Sequence, residues 1–255
     1  MSYEIHARQI EIEVGGTGRM TAYLARPDDA EARPVVLVGA ELWGLTEEIR
    51  EVVRKVAELG YVAIAPDVYH RFGAEGATGM AENDENRQRG FAMIGQLTRD
   101  DVATDLSAAL AYARAEANGG PKAGALGFSV GGHFAFFAAN RLGLNAAAIY
   151  YPGWLAVAGT ALSRPEPLLE LVSQEIGDGG GSRMLLFWAE LDHVIDAEQR
   201  KRVDEELTAA GAEYEAIVYP GAKHAFFFPG REMYDKEAAE DSWARIRDLF
   251  AAELA

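Results

Sequence analysis

The chain has 255 residues, which is enough for one large α/β domain, and 49% of them are apolar. A formal net charge of −16 disfavours nucleic acid and membranes as partners, and the lack of cysteine excludes disulfides, a thiolate nucleophile and a cysteine-ligated metal. The amino terminus lacks the basic start and apolar run of a signal peptide, and no apolar run has the roughly 20 residues of a membrane span, so we predict a cytoplasmic protein.

The first predicted elements are two strands, at residues 10–13 and 20–25, joined by the turn-rich segment 15–18. This pattern predicts a β-hairpin at the border of a sheet. The next element is a continuous apolar run at residues 35–39. Such a run is typical of a central strand that is covered on both faces.

Apolar side chains recur at helical spacing over residues 46–59, and Gly60 ends the predicted helix. A strand at residues 61–65 follows at once. Strand, helix and strand in such close succession predict a βαβ unit, in which the strands are parallel and the crossover is right-handed.

Two irregular stretches, residues 67–98 and 152–182, interrupt the alternation of strands and helices. The first is long for a connection within a compact domain, so it is either a lid or pocket-forming excursion or a solvated loop, and the second is a further candidate for shaping a pocket. The remaining predicted elements are helix 100–117, strand 123–126, helix 132–140, strand 146–150, strand 184–188, helix 197–210, strand 214–219 and helix 236–252. The pattern predicts one three-layer α/β domain over residues 1–255, with a mostly parallel central sheet flanked by helices.

A candidate nucleophile lies in the segment Gly-Phe-Ser-Val-Gly at residues 127–131, between a predicted strand and a predicted helix. The spacing G-x-S-x-G in this context is typical of a nucleophile elbow, in which small residues flank a serine on a strained turn. Ser129 is therefore the predicted nucleophile. The turn also starts a helix, so the Val130 N–H is a natural donor to an oxyanion.

Hydroxyl attack needs a base that titrates near neutrality, and His224 is the strongest of five histidines because it follows a predicted late strand. His6 lies near the terminus, His70 lies in the long excursion, and His133 lies in the helix after the elbow, where capping or packing explains it. We predict His224 as the base.

The imidazole needs an acceptor for its second N–H, and Asp192 lies just after the strand predicted at residues 184–188. Glu190 is the competing carboxylate in the same loop, and His193 next to it is interpreted as a solvated side chain. The order Ser129, Asp192, His224 is that of α/β-hydrolases. Each of the three follows the carboxyl end of a strand, where ligands bind in open parallel sheets.

Several segments together resemble the dienelactone hydrolase family of the α/β-hydrolases, and the resemblance extends from about residue 35 to the last helix. They are residues 38–45 (VGAELWGL), 60–69 (GYVAIAPDVY), the elbow at 127–131, the loop with Asp192, and residues 219–226 (YPGAKHAF).

The resemblance implies roles for two further residues. The family has a glutamate after the third strand that contacts the resting nucleophile, and the next backbone N–H completes the oxyanion hole. The matching positions are Glu41 and Leu42. Without the resemblance, Glu41 would be interpreted as a solvated carboxylate. If it is buried, its pKa is expected to be raised.

The sequence departs from the family pattern in two places. The family's usual nucleophile is cysteine, whereas here it is Ser129, which must be activated by proton removal. The family also holds a substrate carboxylate with arginines, one of them shortly after the catalytic histidine, whereas the first arginine after His224 is Arg231. This second departure argues against an anionic dienelactone as substrate.

The substrate pocket is the least constrained part of the prediction, because each candidate has an alternative interpretation as a solvated or core side chain. The candidate substrate-binding residues are Trp43, Tyr69, Arg87, Arg89, Phe91, Trp154 and Phe226.

We therefore expect hydrolysis of a small ester or lactone through an acyl-serine intermediate, without metal or organic cofactor, by a monomer or small homo-oligomer. The alternative from another class is a catalytically inactive ligand-binding protein of the same fold. A dinucleotide-binding enzyme is disfavoured, because the pattern G-x-G-x-x-G is absent after the first central strands.

Overall fold

An eight-stranded sheet organises the structure, a computed structural model that describes residues 2–16, 18–170 and 181–255. The strand order is β1-β2-β4-β3-β5-β6-β7-β8. Strands β1, β2 and β4 pair antiparallel in succession, and all other neighbours are parallel. The sheet is therefore mostly parallel, as predicted. The strands are β1 Ile5–Val14, β2 Gly18–Pro27, β3 Arg33–Gly39, β4 Val62–Pro66, β5 Gly119–Phe128, β6 Ala146–Tyr150, β7 Arg183–Ala189 and β8 Tyr214–Tyr219.

Seven α-helices lie among the described residues: α1 Glu47–Glu58, α2 Glu75–Thr78, α3 Asp84–Ile94, α4 Arg99–Glu116, α5 Val130–Arg141, α6 Ala197–Ala209 and α7 Lys236–Glu253. The connection from β3 to β4 runs in one direction across the sheet, and those from β4 to β5 and from β5 to β6 run in the other. Because right-handed crossovers in opposite directions place their helices on opposite faces, α1 covers the face opposite to α4 and α5. The predicted three-layer arrangement is confirmed.

Local sequence explains these elements well. Every residue of β4 and of β6 is buried, which is the property of strands covered on both faces. Helix α4 begins with a capping box, in which Thr98 accepts from the Asp101 N–H and the Asp101 carboxylate accepts from the Thr98 N–H. The amphipathic pattern of α1 buries Ile49, Val52 and Val56.

The structure corrects the prediction for residues 67–98, which gave no elements there. The segment contains a 3₁₀ turn at His70–Phe72 and the helices α2 and α3. Helix α3 buries only three residues, one of them a glycine, so its apolar period is too weak to identify. The two strands of the hairpin are also longer than predicted. Residue 17 of the predicted turn and residues 171–180 of the second irregular stretch lie outside the described residues.

Candidate active site

Ser129 occupies the turn between β5 and α5 in a left-handed backbone conformation, with φ 56° and ψ −115°. A Cβ atom added at Gly127 would lie 1.9 Å from the Gly131 carbonyl oxygen, and one added at Gly131 would lie 2.2 Å from the Gly39 carbonyl oxygen. Positions 127 and 131 must therefore both be glycine for the turn to pack against β3. The strained conformation is thus imposed by the surrounding backbone, as in a nucleophile elbow.

Three side chains form a continuous hydrogen-bonded relay. The Ser129 Oγ lies 3.0 Å from His224 Nε2, and His224 Nδ1 lies 2.8 Å from Asp192 Oδ2. A carboxylate accepts only, so Nδ1 carries the proton and Nε2 is left to accept from the serine hydroxyl. This tautomer is the one that can take the serine proton.

The Asp192 carboxylate is itself fixed by backbone. Its Oδ1 accepts from the N–H groups of Val194, at 2.7 Å, and Ile195, at 3.1 Å, and its side chain is almost fully buried. The competing carboxylate, Glu190, accepts from the Gly221 N–H at 2.8 Å and so holds the turn that precedes His224. The structure therefore pairs the histidine with Asp192 and uses Glu190 to anchor a loop.

Ser129 opens onto a cleft of about 490 Å³ at the carboxyl ends of the strands. Leu42 and Val130, the predicted oxyanion donors, both line it. Val130 is the first residue of α5, and the N–H of a first helical residue has no acceptor within the helix. The cleft thus has the parts that acyl transfer requires, namely a nucleophile, an oriented base and main-chain donors.

Glu41 lines the same cleft, but its contact differs from the one that the resemblance implies. Its Oε2 accepts from Arg231 Nη1 at 2.6 Å, whereas among the described residues Ser129 Oγ bonds to His224. A guanidinium is the stronger partner for a buried carboxylate, and the serine hydroxyl is already engaged. Burial raises the pKa of Glu41, as expected, and Arg231 offsets only part of that effect.

Arg231 is surrounded by carboxylates. Besides Glu41, Glu48 and Glu82 each approach its guanidinium to 3.8 Å, and its charge lies 4.5 Å from the centre of the Phe228 ring. Since three acidic groups face one cation, little of its positive potential remains for an anionic ligand.

Four of the predicted substrate-binding residues line the cleft: Trp43, Arg87, Phe91 and Trp154. The excursion at residues 67–98 contributes two of them through α3, which favours its interpretation as a pocket-forming segment.

The prediction was wrong for three others. Tyr69 is buried against α2, where Gly76 packs on its Cβ atom. Phe226 is fully buried in the aromatic core, with its ring 5.2 Å from that of Tyr219. Arg89 is exposed away from the cleft, because it lies two positions from Arg87 and so on another side of α3.

The prediction also missed several residues that the fold brings into the cleft: Glu82, His193, Val194, Ala225, Arg231 and Met233. His193 is exposed, as interpreted, yet its ring centre lies 5.7 Å from that of His224. In the sequence, Arg231 was noted only as the first arginine after His224, and no role in the cleft was predicted for it. No spacing rule predicts its contact with Glu41, which is 190 positions away in the chain.

The other histidines lie apart from the relay. His6 is exposed on β1, His70 pairs with Asp105 at 3.2 Å, and buried His133 bonds to the Gly153 carbonyl. Within the described residues, no three His, Cys, Asp or Glu side chains are grouped so that they could hold a metal ion. No helix in the same part of the chain is both long and apolar enough to cross a membrane.

Comparison with known proteins gives consistent matches. The profile of the dienelactone hydrolase family matches residues 20–254. A Synechocystis protein provisionally named a carboxymethylenebutenolidase is 32% identical over 243 residues, with 92% of this chain and 93% of that protein covered.

Solved structures agree with the sequence matches. A protein from Klebsiella pneumoniae provisionally named a dienelactone hydrolase has a TM-score of 0.84 and 29% identity, covering 97% of this chain and 99% of its own. An esterase from Thermogutta terrifontis, 19% identical, shares the fold with a TM-score of 0.71 and covers 96% of this chain and 94% of its own.

Proposed function

This chain belongs to the dienelactone hydrolase family, and we propose that it hydrolyses a small carboxylic ester or lactone through an acyl intermediate on Ser129. The observation that carries the proposal is the relay from Ser129 Oγ through His224 to Asp192, with separations of 3.0 and 2.8 Å. Membership of a hydrolase family and the free end of α5 beside the serine support the same chemistry.

In the first half of the reaction, Ser129 Oγ attacks the carbonyl carbon while His224 Nε2 takes the hydroxyl proton. The negative charge that forms on the carbonyl oxygen is stabilised by the N–H groups of Leu42 and Val130. When the tetrahedral intermediate collapses, the bond to the leaving oxygen breaks and His224 returns the proton to it. The products of this half are the alcohol and an ester of Ser129.

In the second half, His224 removes a proton from water, and the oxygen of that water attacks the acyl carbon. The acid leaves when Ser129 Oγ recovers the proton from His224. For a lactone, the alcohol and the acid are the two ends of one opened ring. Asp192 keeps its hydrogen bond to His224 Nδ1 and stabilises the imidazolium that forms twice in each cycle.

The environment of Arg231 supports uncharged rather than carboxylated substrates. Three carboxylates face its guanidinium, so a substrate carboxylate would meet like charges as well as the cation. Relatives named for carboxymethylenebutenolide hydrolysis therefore support the bond type for this chain more strongly than the charge of the substrate.

The direct test is covalent labelling with a fluorophosphonate, together with turnover of p-nitrophenyl acetate. We expect the wild type to be labelled and to turn over the ester, and Ser129→Ala to do neither. Equal labelling of wild type and Ser129→Ala would contradict the proposal. So would the absence of turnover across short uncharged esters and lactones by folded wild-type protein.

A further inference from the structure

A buried histidine that the reaction does not use lies one turn after the nucleophile. His133, on α5, is 2% exposed, and its Nδ1 lies 2.9 Å from the Gly153 carbonyl oxygen. Burial, the main cause, lowers the pKa of His133 to about 4, so the ring is neutral at neutral pH. Because a carbonyl only accepts, the single ring proton must be on Nδ1, where it ties the nucleophile helix to the segment after β6.

The residue that follows this carbonyl is Trp154, which turns into the cleft. Its backbone is left-handed, with φ 58°, a conformation that costs energy in any residue with a side chain and persists only where the surroundings impose it. The chain is fixed again just beyond, where Arg202 Nη1 donates to the Ala156 carbonyl at 2.8 Å. The turn carrying Trp154 is therefore held on both sides by side chains of helices α5 and α6.

The indole itself contacts two other parts of the chain. A Cβ atom added at Gly159 would lie 2.2 Å from Trp154 Cδ1, so the ring lies directly against the Gly159 backbone. The Phe91 ring also meets the indole edge to face, with centres 6.2 Å apart and planes at 84°. Trp154 and Phe91 both line the cleft that holds Ser129.

We propose that Trp154 is the wall that limits the size of the apolar group accepted beside Ser129, and that His133 is a positioning residue that holds this wall through the Gly153 carbonyl. The cleft then selects esters with a small apolar acyl or alcohol group against those with a bulky one. The inference rests on the proposed ester hydrolysis and names its substrate class.

The test compares kcat/KM for bulky and small substrates in two series, p-nitrophenyl octanoate against acetate for the acyl side and benzyl against ethyl acetate for the alcohol side. Trp154→Ala is expected to raise the bulky-to-small ratio roughly tenfold in at least one series, the scale of pocket-size discrimination. The kcat of each variant on p-nitrophenyl acetate is measured alongside, so that a change in the ratio is separated from a general loss of turnover.

Two further variants displace the same ring from different elements. His133→Leu removes the donor, whereas His133→Asn places an amide N–H near the former Nδ1, so the leucine variant should shift the ratio and the asparagine variant should restore it. Gly159→Ala should also change the ratio, because its methyl group displaces the same ring without touching α5. Val157→Ala, an exposed neighbour in the same loop that does not line the cleft, is the matched control with an unchanged ratio.

An unchanged ratio in both series for Trp154→Ala would overturn the inference, as would a His133→Leu variant that loses only thermal stability while its ratio stays that of wild type. If His133→Leu fails to fold, Gly159→Ala decides the question. An unchanged ratio for Gly159→Ala would refute the inference that Trp154 limits the size of the accepted group. Absence of acetate turnover by the wild type would refute the proposed function instead, so the two failures are distinguishable.

Discussion

At the residue scale, replacing Asp192 tests how much the orientation of His224 contributes to activity while the nucleophile, Ser129, stays in place. An amide at this position can donate to His224 Nδ1 and so favour the tautomer that cannot accept the serine proton. We expect Asp192→Asn to lower kcat for p-nitrophenyl acetate by about four orders of magnitude with KM nearly unchanged. Steady-state kinetics measure both constants.

The matched control for that variant is Glu190→Gln. The glutamine side chain would keep an oxygen that accepts from the Gly221 N–H, so the loop before His224 stays anchored and activity should stay close to wild type. A Glu190→Gln variant that loses as much activity as Asp192→Asn would contradict the assignment of the orienting carboxylate.

His133 predicts a pH dependence of stability whose sign is fixed by its burial. Its pKa falls from the ordinary 6.5 to about 4 in the folded protein. Between pH 6.5 and pH 4, His133 is therefore protonated in the unfolded chain but not in the folded one. Stability is therefore lost as the pH falls, by about 3 kcal/mol at pH 4 relative to pH 7 for this one group.

The measurement is urea unfolding of the wild type and of His133→Asn between pH 7 and pH 4. Asparagine does not titrate, so the wild type should lose stability relative to the variant as the pH falls. Parallel pH profiles for the two proteins would refute the prediction.

The residues of the cleft that could be predicted from the sequence are those that lie in a recognisable local pattern. Ser129 lies in a five-residue pattern, and His224 and Asp192 each follow a recognisable strand. Arg231 and His193 lie in no such pattern, because their position in the cleft depends on how loops from different strands pack together.

At the element scale, glycine backbones meet where β3, β5 and the start of α5 come together. Gly131→Ala would bring a methyl group to 2.2 Å from the Gly39 carbonyl oxygen, and neither backbone can move without distorting the central strands. We expect a loss of about 3 kcal/mol or more in the free energy of unfolding, or no folded protein. Urea unfolding followed by circular dichroism measures it.

Gly15→Ala is the control for that substitution, since its added Cβ would meet no atom of the described residues within 4 Å. Its free energy of unfolding should match the wild type. A Gly131→Ala variant as stable as the Gly15→Ala variant would show that the turn can widen, and would remove the steric argument for the elbow.

Elements with a strong pattern were predictable and those with a weak one were not. Strand β6 and helix α1 carry continuous or periodic apolar residues, and their bounds match the prediction within about two residues. Helix α3 has a mostly polar sequence and depends on Gly90 packing against Leu42, a contact between segments 48 positions apart that no local period reveals.

At the scale of the whole molecule, the net charge of −16 gives a prediction about substrates of different charge. An anionic ester is repelled during approach, and this repulsion is screened as the Debye length falls from about 30 Å at 0.01 M salt to about 8 Å at 0.15 M. We expect kcat/KM for a carboxylated ester to rise over this range and that for its uncharged isostere to stay constant.

The same pair of substrates tests the local charges. Glu82→Gln removes one of the carboxylates that face Arg231 and should raise kcat/KM for the carboxylated ester with little effect on the uncharged one. A carboxylated ester that reacts more slowly as salt increases would show that attraction, rather than repulsion, governs its approach.

The distances along the chain within the relay also affect when the protein first becomes reactive during its synthesis. Ser129 precedes His224 by 95 residues, so at about 5–20 residues per second the nucleophile is made about 5 to 20 seconds before its base. During that interval the proposed base of Ser129 is absent. Under the proposed mechanism, a partly made chain therefore does not react with the esters around the ribosome, and reactivity begins only after the last strand of the sheet has been made.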